Sequence, residues 1–350
     1  MAKKRSRFTV YNNLTSPEML EKVNQENKDL TTGFLCYLDS INRSQSTIQQ
    51  YTANLNIFWC WNLKENGNKS FIKLKKLEYS RFQGTAINRW GWSPKRMRTV
   101  KATLSSLSKY IENMLDDDYP EYRAIINRIE SPPDQAVREK VVFTDSQLST
   151  LLDTLVENDE LDKACAVALA AYSSRRKSEL PEFKVDYFSS ENLILDGALY
   201  KTPERIKTKG RGKQGKLLDV YILANDFDPY LKMWMTKRES MGVESQWLLT
   251  ASFSSVTKND KIKVTTLDSW AKRFSDILGV PFYWHSLRHF FTTRLAKNGI
   301  PDSVIQAMVG WDSADMVRLY DDSPPEEQFG KYFSKDGFKK VEGKSLSDLT

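Results

Sequence analysis

Between residues 31 and 130 the chain carries four helical patterns and no alternating one, which confines its first third to an all-α module. TTGFLCYLDSI sets Phe34, Leu35 and Leu38 at helical spacing from a start near Thr31. SQSTIQQYTANLNIFWCWNL repeats the spacing with Ile48, Tyr51, Leu55 and Phe58; Ser46 or Thr47 can cap its start and Asn66-Gly67-Asn68 ends it. A third helix is expected through LEYSRFQGTAINRWG. A fourth opens at Ser93-Pro94, where Ser is the N-cap and Pro takes the first helical position, whose N–H has no intrahelical partner in any case. Residues 1–30 are polar with a basic tip and read as a loosely held N-terminal arm.

Ser131-Pro132-Pro133-Asp134 cannot continue a helix, so 131–142 reads as a linker between the helical domain, 31–130, and a second domain, 143–323. That domain opens with a helix at Thr144 or Asp145, followed by the Ala-rich, buried DKACAVALAAYSS. ENLILDGALYKTPERIKTKGRGKQGKLLDVYI then reads as two or three short strands around a Gly-rich basic turn, and from Asp226 onward the pattern is helical again. The fold class expected is mainly α with one small antiparallel sheet.

Composition removes several functions. The 350 residues hold 3 Cys, far apart and odd in number, which fits neither a disulfide scaffold nor a CxxC zinc knuckle. The only two His, His285 and His289, lie in HSLRH, where Ser286 stands at the position a zincin gives to Glu. No metal ligand set and no GxxxxGK[ST] loop is present, so no metal and no cofactor is expected. No run of about 18 apolar residues exists, so no membrane span is expected. MAKKRSRFTVYNNL lacks an apolar stretch, so no secretory signal is expected and a cytoplasmic, nucleoid-associated protein is.

The net charge is +7, unevenly spread. Residues 64–109 hold 12 basic and 2 acidic residues, 110–160 hold 4 and 13, and 201–216 hold 7 and 1. Two separated basic blocks suit a polyanion held by two surfaces, while solvated helix faces are the plainer alternative. Lys95, Arg96, Arg98 and Lys101 in the first block, beside Trp90 and Trp92, and Lys207, Arg211 and Lys213 in the second are the candidate contacts to such a polyanion's backbone.

The most informative stretch is WHSLRHFFTTRLAKNGIPDSVIQAMVGWDSADMVRLYDD, residues 284–322. His285 and Arg288 are three apart and share a helical face. Trp311 follows Arg288 by 23 residues and Tyr320 follows Trp311 by nine; SRRKSEL, 174–180, lies upstream with the lysine-rich turn between. This resembles the tyrosine recombinase (phage integrase) family over roughly residues 30–330. The family's pattern is Arg, a hairpin Lys, His-x-x-Arg, Gly-His or Gly-Trp, then Tyr nine residues on. The resemblance implies an α-helical core-binding domain plus a mixed α+β tyrosine recombinase catalytic domain. It points to Tyr320, Arg176, Arg288, His285, Lys209, Trp311 and Glu179 as catalytic residues, with Trp311 at the family's second-His position as in the phage Cre recombinase. R-x-S-E-L selects Arg176 over the adjacent Arg175. Lys207, Lys209 and Lys213 compete for the hairpin role, and Lys209, beside Gly210, is preferred. Ser173-Ser174 stands where the family usually has Thr-Gly.

These residue types suit metal-free phosphodiester cleavage. Tyr320 supplies a nucleophile, Arg176 and Arg288 can clamp phosphate oxygens, and His285 can move a proton near neutrality. A turn-borne Lys can protonate the leaving 5′ oxygen. His289 is read as structural and Tyr332 as the rival tyrosine. The resemblance further implies a homotetramer on paired sites in double-stranded DNA. The segment 324–350 reads as a short helix, Glu326 to Phe338, that docks on a neighbouring protomer.

Overall fold

The computed structural model describes residues 14–133, 142–208, 210, 212–251 and 259–322, with the backbone of 333–334 and 337–338. The chain divides into two units, Met1–Glu139 with Lys209–Gly215, and Lys140–Thr208 with Lys216–Thr350. The division after Glu139 falls inside 131–142, of which 134–141 lie outside the described residues.

The first unit is helical: α1 (Pro17–Glu21), α2 (Gln25–Ser40), α3 (Gln45–Glu65), α4 (Lys76–Gly84, run on by a π-turn over Thr85–Arg89) and α5 (Pro94–Met114). The expected cap at Ser93 is present, its hydroxyl accepting from the Arg96 N–H. α3 starts earlier than Ser46 or Thr47 would have it; its N-cap is Ser44, which accepts from the Thr47 N–H. Phe58, Trp61, Phe71 and Phe82 build an edge-on aromatic core, with Phe58 and Phe82 rings 5.0 Å apart at 88°.

Residues 16–30 are not a loose arm. α2 begins at Gln25 rather than near Thr31, and Val23, Asn27 and Leu30 are buried. Leu30, Phe34 and Leu38 form one i, i+4 row. The polar look of the segment misleads because Asn27 works inside: its amide donates to the Lys69 carbonyl at 2.9 Å and accepts from the Phe71 N–H at 2.8 Å.

The second unit is built around α7 (Leu161–Ser173), preceded by α6 (Asp145–Glu157), which opens on a capping box between Thr144 and Gln147. Every residue of α7 from Ala164 to Ser173 is buried. Its alanines let α8 (Ala224–Ser240) and α10 (Trp284–Lys297) pack closely against it. α9 (Val264–Leu278), α11 (Asp302–Val309) and α12 (Asp315–Tyr320) complete the helices described here.

The strand block forms two sheets rather than one. β1 (Leu193–Ile194), β2 (Leu199–Lys201) and β5 (Tyr221–Leu223) make an antiparallel sheet of order β1-β2-β5. β3 (Ile206–Thr208) and β4 (Lys216–Leu218) form a separate hairpin with Ile206 opposite Leu218. Pro203, which cannot donate to a ladder, interrupts the run between β2 and β3. Just before it, buried Thr202 donates its N–H to the Val220 carbonyl at 3.0 Å and accepts the Val220 N–H at 3.2 Å, which returns β5 to β2.

The helix expected over 326–338 is corrected at its end. Phe333–Ser334 (β6) and Gly337–Phe338 (β7) pair antiparallel. Residues 323–332, Tyr332 included, lie outside the described residues.

Candidate active site

Three segments of the second unit meet: the turn after α7, the inner face of α10, and the α11–α12 region. α7 ends with Ser174 in the left-handed conformation, φ 58°. This turns the chain so that the Ser174 carbonyl accepts from Arg288 Nη1 at 2.7 Å. The next turn is closed by Glu179, almost fully buried, whose carboxylate accepts from the Arg176 N–H at 3.2 Å and from Arg176 Nη1 at 3.0 Å.

α10 presents His285, Arg288 and His289 together. The spacing i, i+3, i+4 places all three on one face, so His289, read from the sequence as structural, lies beside the other two. Arg288 is 1% exposed and its Nε has no partner among the described residues. Burial, then Arg176 and Arg175, push its pKa down to about 9, which leaves it cationic at neutral pH.

α11 ends at Gly310, φ 76°, in the left-handed cap that glycine adopts without strain. A Cβ there would meet the Leu218 side chain of β4, which would have to shift to admit it. The turn delivers Trp311, whose ring lies 5.0 Å from the Arg288 guanidinium and 4.8 Å from the Tyr320 ring. The Trp311 indole N–H is buried without an acceptor among the described residues.

Tyr320 ends α12 with its hydroxyl 2.8 Å from His285 Nε2. Its ring stacks on His289 at 4.3 Å and 23°. Thr293 Oγ1 donates to the Tyr320 carbonyl at 3.3 Å and accepts the Asp322 N–H at 3.0 Å, while His289 Nδ1 meets the Asp322 carboxylate at 2.9 Å. The tyrosine is thus pinned to α10 at two points one turn apart.

The His285 pKa is pushed down to about 4, first by burial and then by His289, Arg288 and Arg176. Water still reaches the outer edge of the ring, which softens the shift without changing its sign. A neutral imidazole with its proton on Nδ1 can accept a hydrogen bond from the Tyr320 hydroxyl at Nε2. The cluster therefore holds an aligned phenol, a neutral imidazole, two guanidinium groups and an unmet indole N–H, a set suited to an anionic, tetrahedral oxygen cluster.

A model of the phage integrase family matches residues 141–327. The chain belongs to the phage integrase family of tyrosine recombinases. Among the relatives of this recombinase is the SPbeta prophage-derived recombinase-like protein YomM of Bacillus subtilis (strain 168), 28% identical over 269 residues, 75% of this chain and 76% of the relative. Tyrosine recombinase XerA of Thermococcus kodakarensis is 23% identical over 298 residues, 84% of this chain and 91% of the relative. The fold is shared with the XerH site-specific recombinase bound to difH substrate in a post-cleavage complex (TM-score 0.60, 18% identity, 81% of this chain and 78% of that one). It is shared likewise with a lambda integrase tetramer bound to a Holliday junction (TM-score 0.61, 14% identity, 84% and 77%).

Six of the seven residues expected to be catalytic in this recombinase, Tyr320, Arg176, Arg288, His285, Trp311 and Glu179, lie in the one cluster. The seventh, Lys209, lies outside the described residues, as does Arg211. Lys207 is exposed on β3, and Lys213 pairs with Asp39 at 2.7 Å within the first unit. Lys216, on β4, reaches the Asp312 carboxylate beside Trp311. In the first unit Lys95 is exposed and the Arg96 guanidinium lies 4.9 Å from the Trp92 ring centre. Arg98 Nε donates to the Pro132 carbonyl at 2.9 Å, and Lys101 bonds the Ile129 carbonyl and Ser131 hydroxyl. These last two side chains tie down the chain that leaves the helical unit, a use that a basic pattern does not reveal. The sequence also gave no sign of the His289–Asp322 pair; only the i+4 spacing from His285 pointed to its place.

Proposed function

We propose that this recombinase cuts and rejoins DNA strands through a 3′-phosphotyrosine intermediate, without metal or nucleotide, in the integration or excision of a phage or other mobile element. Tyr320 Oη attacks the phosphorus and its proton passes to His285 Nε2. The bond from phosphorus to the 5′ oxygen breaks, and Lys209 protonates the leaving oxygen. Arg176 and Arg288 hold the non-bridging oxygens, the Trp311 N–H donates to one of them, and Glu179 fixes Arg176. The phosphodiester bond is exchanged for a phosphotyrosyl bond, so rejoining by a 5′ hydroxyl needs no external fuel.

The observation that carries the reading is the Tyr320 hydroxyl on His285 Nε2 at 2.8 Å, beside the buried, partly unmet Arg288 and Trp311 donors. The relatives solved on DNA support double-stranded DNA as the partner, and the lambda integrase tetramer supports a homotetramer on paired sites. Lys95, Arg96, Arg98, Lys101, Lys207, Arg211 and Lys213 are the proposed backbone contacts, met at the nucleoid.

The test is covalent capture. The protein is incubated with a pool of random-sequence duplexes in excess EDTA, then denatured in detergent. DNA retained on the denatured protein is the expected result. Binding without retained DNA would make it a non-cutting DNA-binding protein, and retention only with Mg²⁺ would reject the metal-free step.

A further inference from the structure

Arg175 is the one buried arginine in this region that the proposed chemistry does not use. It is 1% exposed, next in sequence to Arg176. Its Nε donates to the Ser173 carbonyl at 3.0 Å, and its Nη2 to the carbonyls of Val309 at 2.9 Å and Met308 at 3.3 Å. Its Nη1 lies 4.0 Å from Glu179 Oε2, without a hydrogen bond.

The acceptors place this guanidinium in the fold. Ser173 ends α7, one residue before the carbonyl that holds Arg288 and three before Arg176. Met308 and Val309 end α11, whose last carbonyls have no intrahelical partners and carry the negative end of the helix dipole. Val309 is two residues before Trp311. One side chain thus joins the turn that carries Arg176, and whose Ser174 carbonyl holds the Arg288 side chain, to the backbone that carries the indole.

An apolar residue of similar volume would fill the same space without burying a charge, and burial alone rarely favours an ion. Burial pushes the Arg175 pKa down to about 10, so the charge remains at neutral pH. Its hydrogen bonds run to backbone carbonyls at the two turns.

We propose that Arg175 is a positioning residue that locks the Trp311 turn against the Arg176 turn and so sets the spacing of the phosphate clamp. The inference rests on the reading of the site given above. Arg175 touches no reacting atom; it acts through Trp311 and Arg176.

The test uses the full chain and duplexes enriched by covalent capture from the random-sequence pool. Duplex binding and single-turnover adduct formation are compared for the parent protein, Arg175→Met, Arg175→Lys, Trp311→Phe and the two double variants. Arg175→Met should bind duplex as the parent does but form adduct more slowly, on the order of 10²-fold for a shift of about 1 Å in the reacting groups. Arg175→Lys keeps the charge and one of the bonds, and should recover part of the loss. In the Trp311→Phe background the Arg175→Met loss should shrink, because the donor being positioned is already gone. An Arg175→Met protein that forms adduct at the parent rate would overturn the inference, as would losses that simply multiply with Trp311→Phe. If Arg175→Met does not fold, Arg175→Lys decides alone: slowed chemistry with intact binding supports the role, and parental chemistry rejects it. A parent protein that binds duplex but never forms adduct would instead sink the reading of the site itself, and this inference with it.

Discussion

Arg288 and Trp311 each bury an N–H that no described group accepts. A buried donor without a partner costs about 1–3 kcal/mol, and phosphate oxygens held between the two would relieve both. Arg288→Ala or Arg176→Ala should therefore slow adduct formation by about 10²–10³-fold, the usual loss on removing one such transition-state donor. Duplex binding should fall far less, and single-turnover assays with a parallel binding titration separate the two. Trp311→Phe keeps an aromatic ring beside Arg288 but removes the N–H together with part of the buried indole; it should slow cleavage and, through the cavity left, lower the melting temperature by a few degrees at most. His285 supplies the pH signature. Its folded pKa lies near 4, below the unfolded 6.5, so the unfolded chain binds the proton first as pH falls. The contribution to stability is complete above pH 6.5 and is lost as pH drops from there toward 4. A bound phosphate offsets the neighbouring cations, so the His285 pKa should rise when duplex is added. With only two His in the chain, an NMR titration resolves it directly. A free-protein His285 that titrates at 6.5 would contradict the cationic surroundings described here.

At the scale of elements, two turns set the site, and both rest on left-handed residues. Gly310 is the residue such a cap prefers, and a Cβ there would push the Leu218 side chain aside. Gly310→Ala should destabilise the second unit and slow cleavage by moving Trp311. Ser174 holds the same conformation with a side chain, at a strain of about 1 kcal/mol or more. Ser174→Gly should raise stability by roughly 0.5–1 kcal/mol, partly offset by the freer unfolded chain, with thermal unfolding as the readout. The sequence made these elements legible unevenly. Ser93-Pro94 announced α5, and Thr144-Asp145 announced α6, because caps are local chemistry. HSLRH announced α10 and its inner face, because helical spacing alone brings His285 and Arg288 together. Asn27 hid the start of α2, because a buried amide serving backbone groups looks like any polar surface residue. Arg175, Thr293 and Asp322 stayed illegible as parts of the site, because their partners are 134, 27 and 33 residues away in the chain. No periodicity encodes such pairs.

For the whole molecule, the two units divide the work proposed here: the second carries the tyrosine, the histidine and the arginine clamp, and the first, with 209–215, carries much of the basic charge and the proposed acid Lys209. A protein working on paired sites should be monomeric when free and tetrameric when two duplex sites are joined, which analytical ultracentrifugation with and without enriched duplex would show. Truncation after Ser323 should leave single-site binding and abolish that assembly; a truncated protein that still pairs two duplexes would remove the tail from this role. The central claim is that Tyr320 becomes joined to DNA, and the most direct measurement is to find which side chain carries it. Denatured adduct is digested with nuclease and protease and the nucleotide-bearing peptide is sequenced by mass spectrometry. A nucleotide on Tyr320, and no adduct at all from Tyr320→Phe, is the predicted result. A nucleotide on any other residue, Tyr332 included, or an undiminished adduct from Tyr320→Phe, would contradict it.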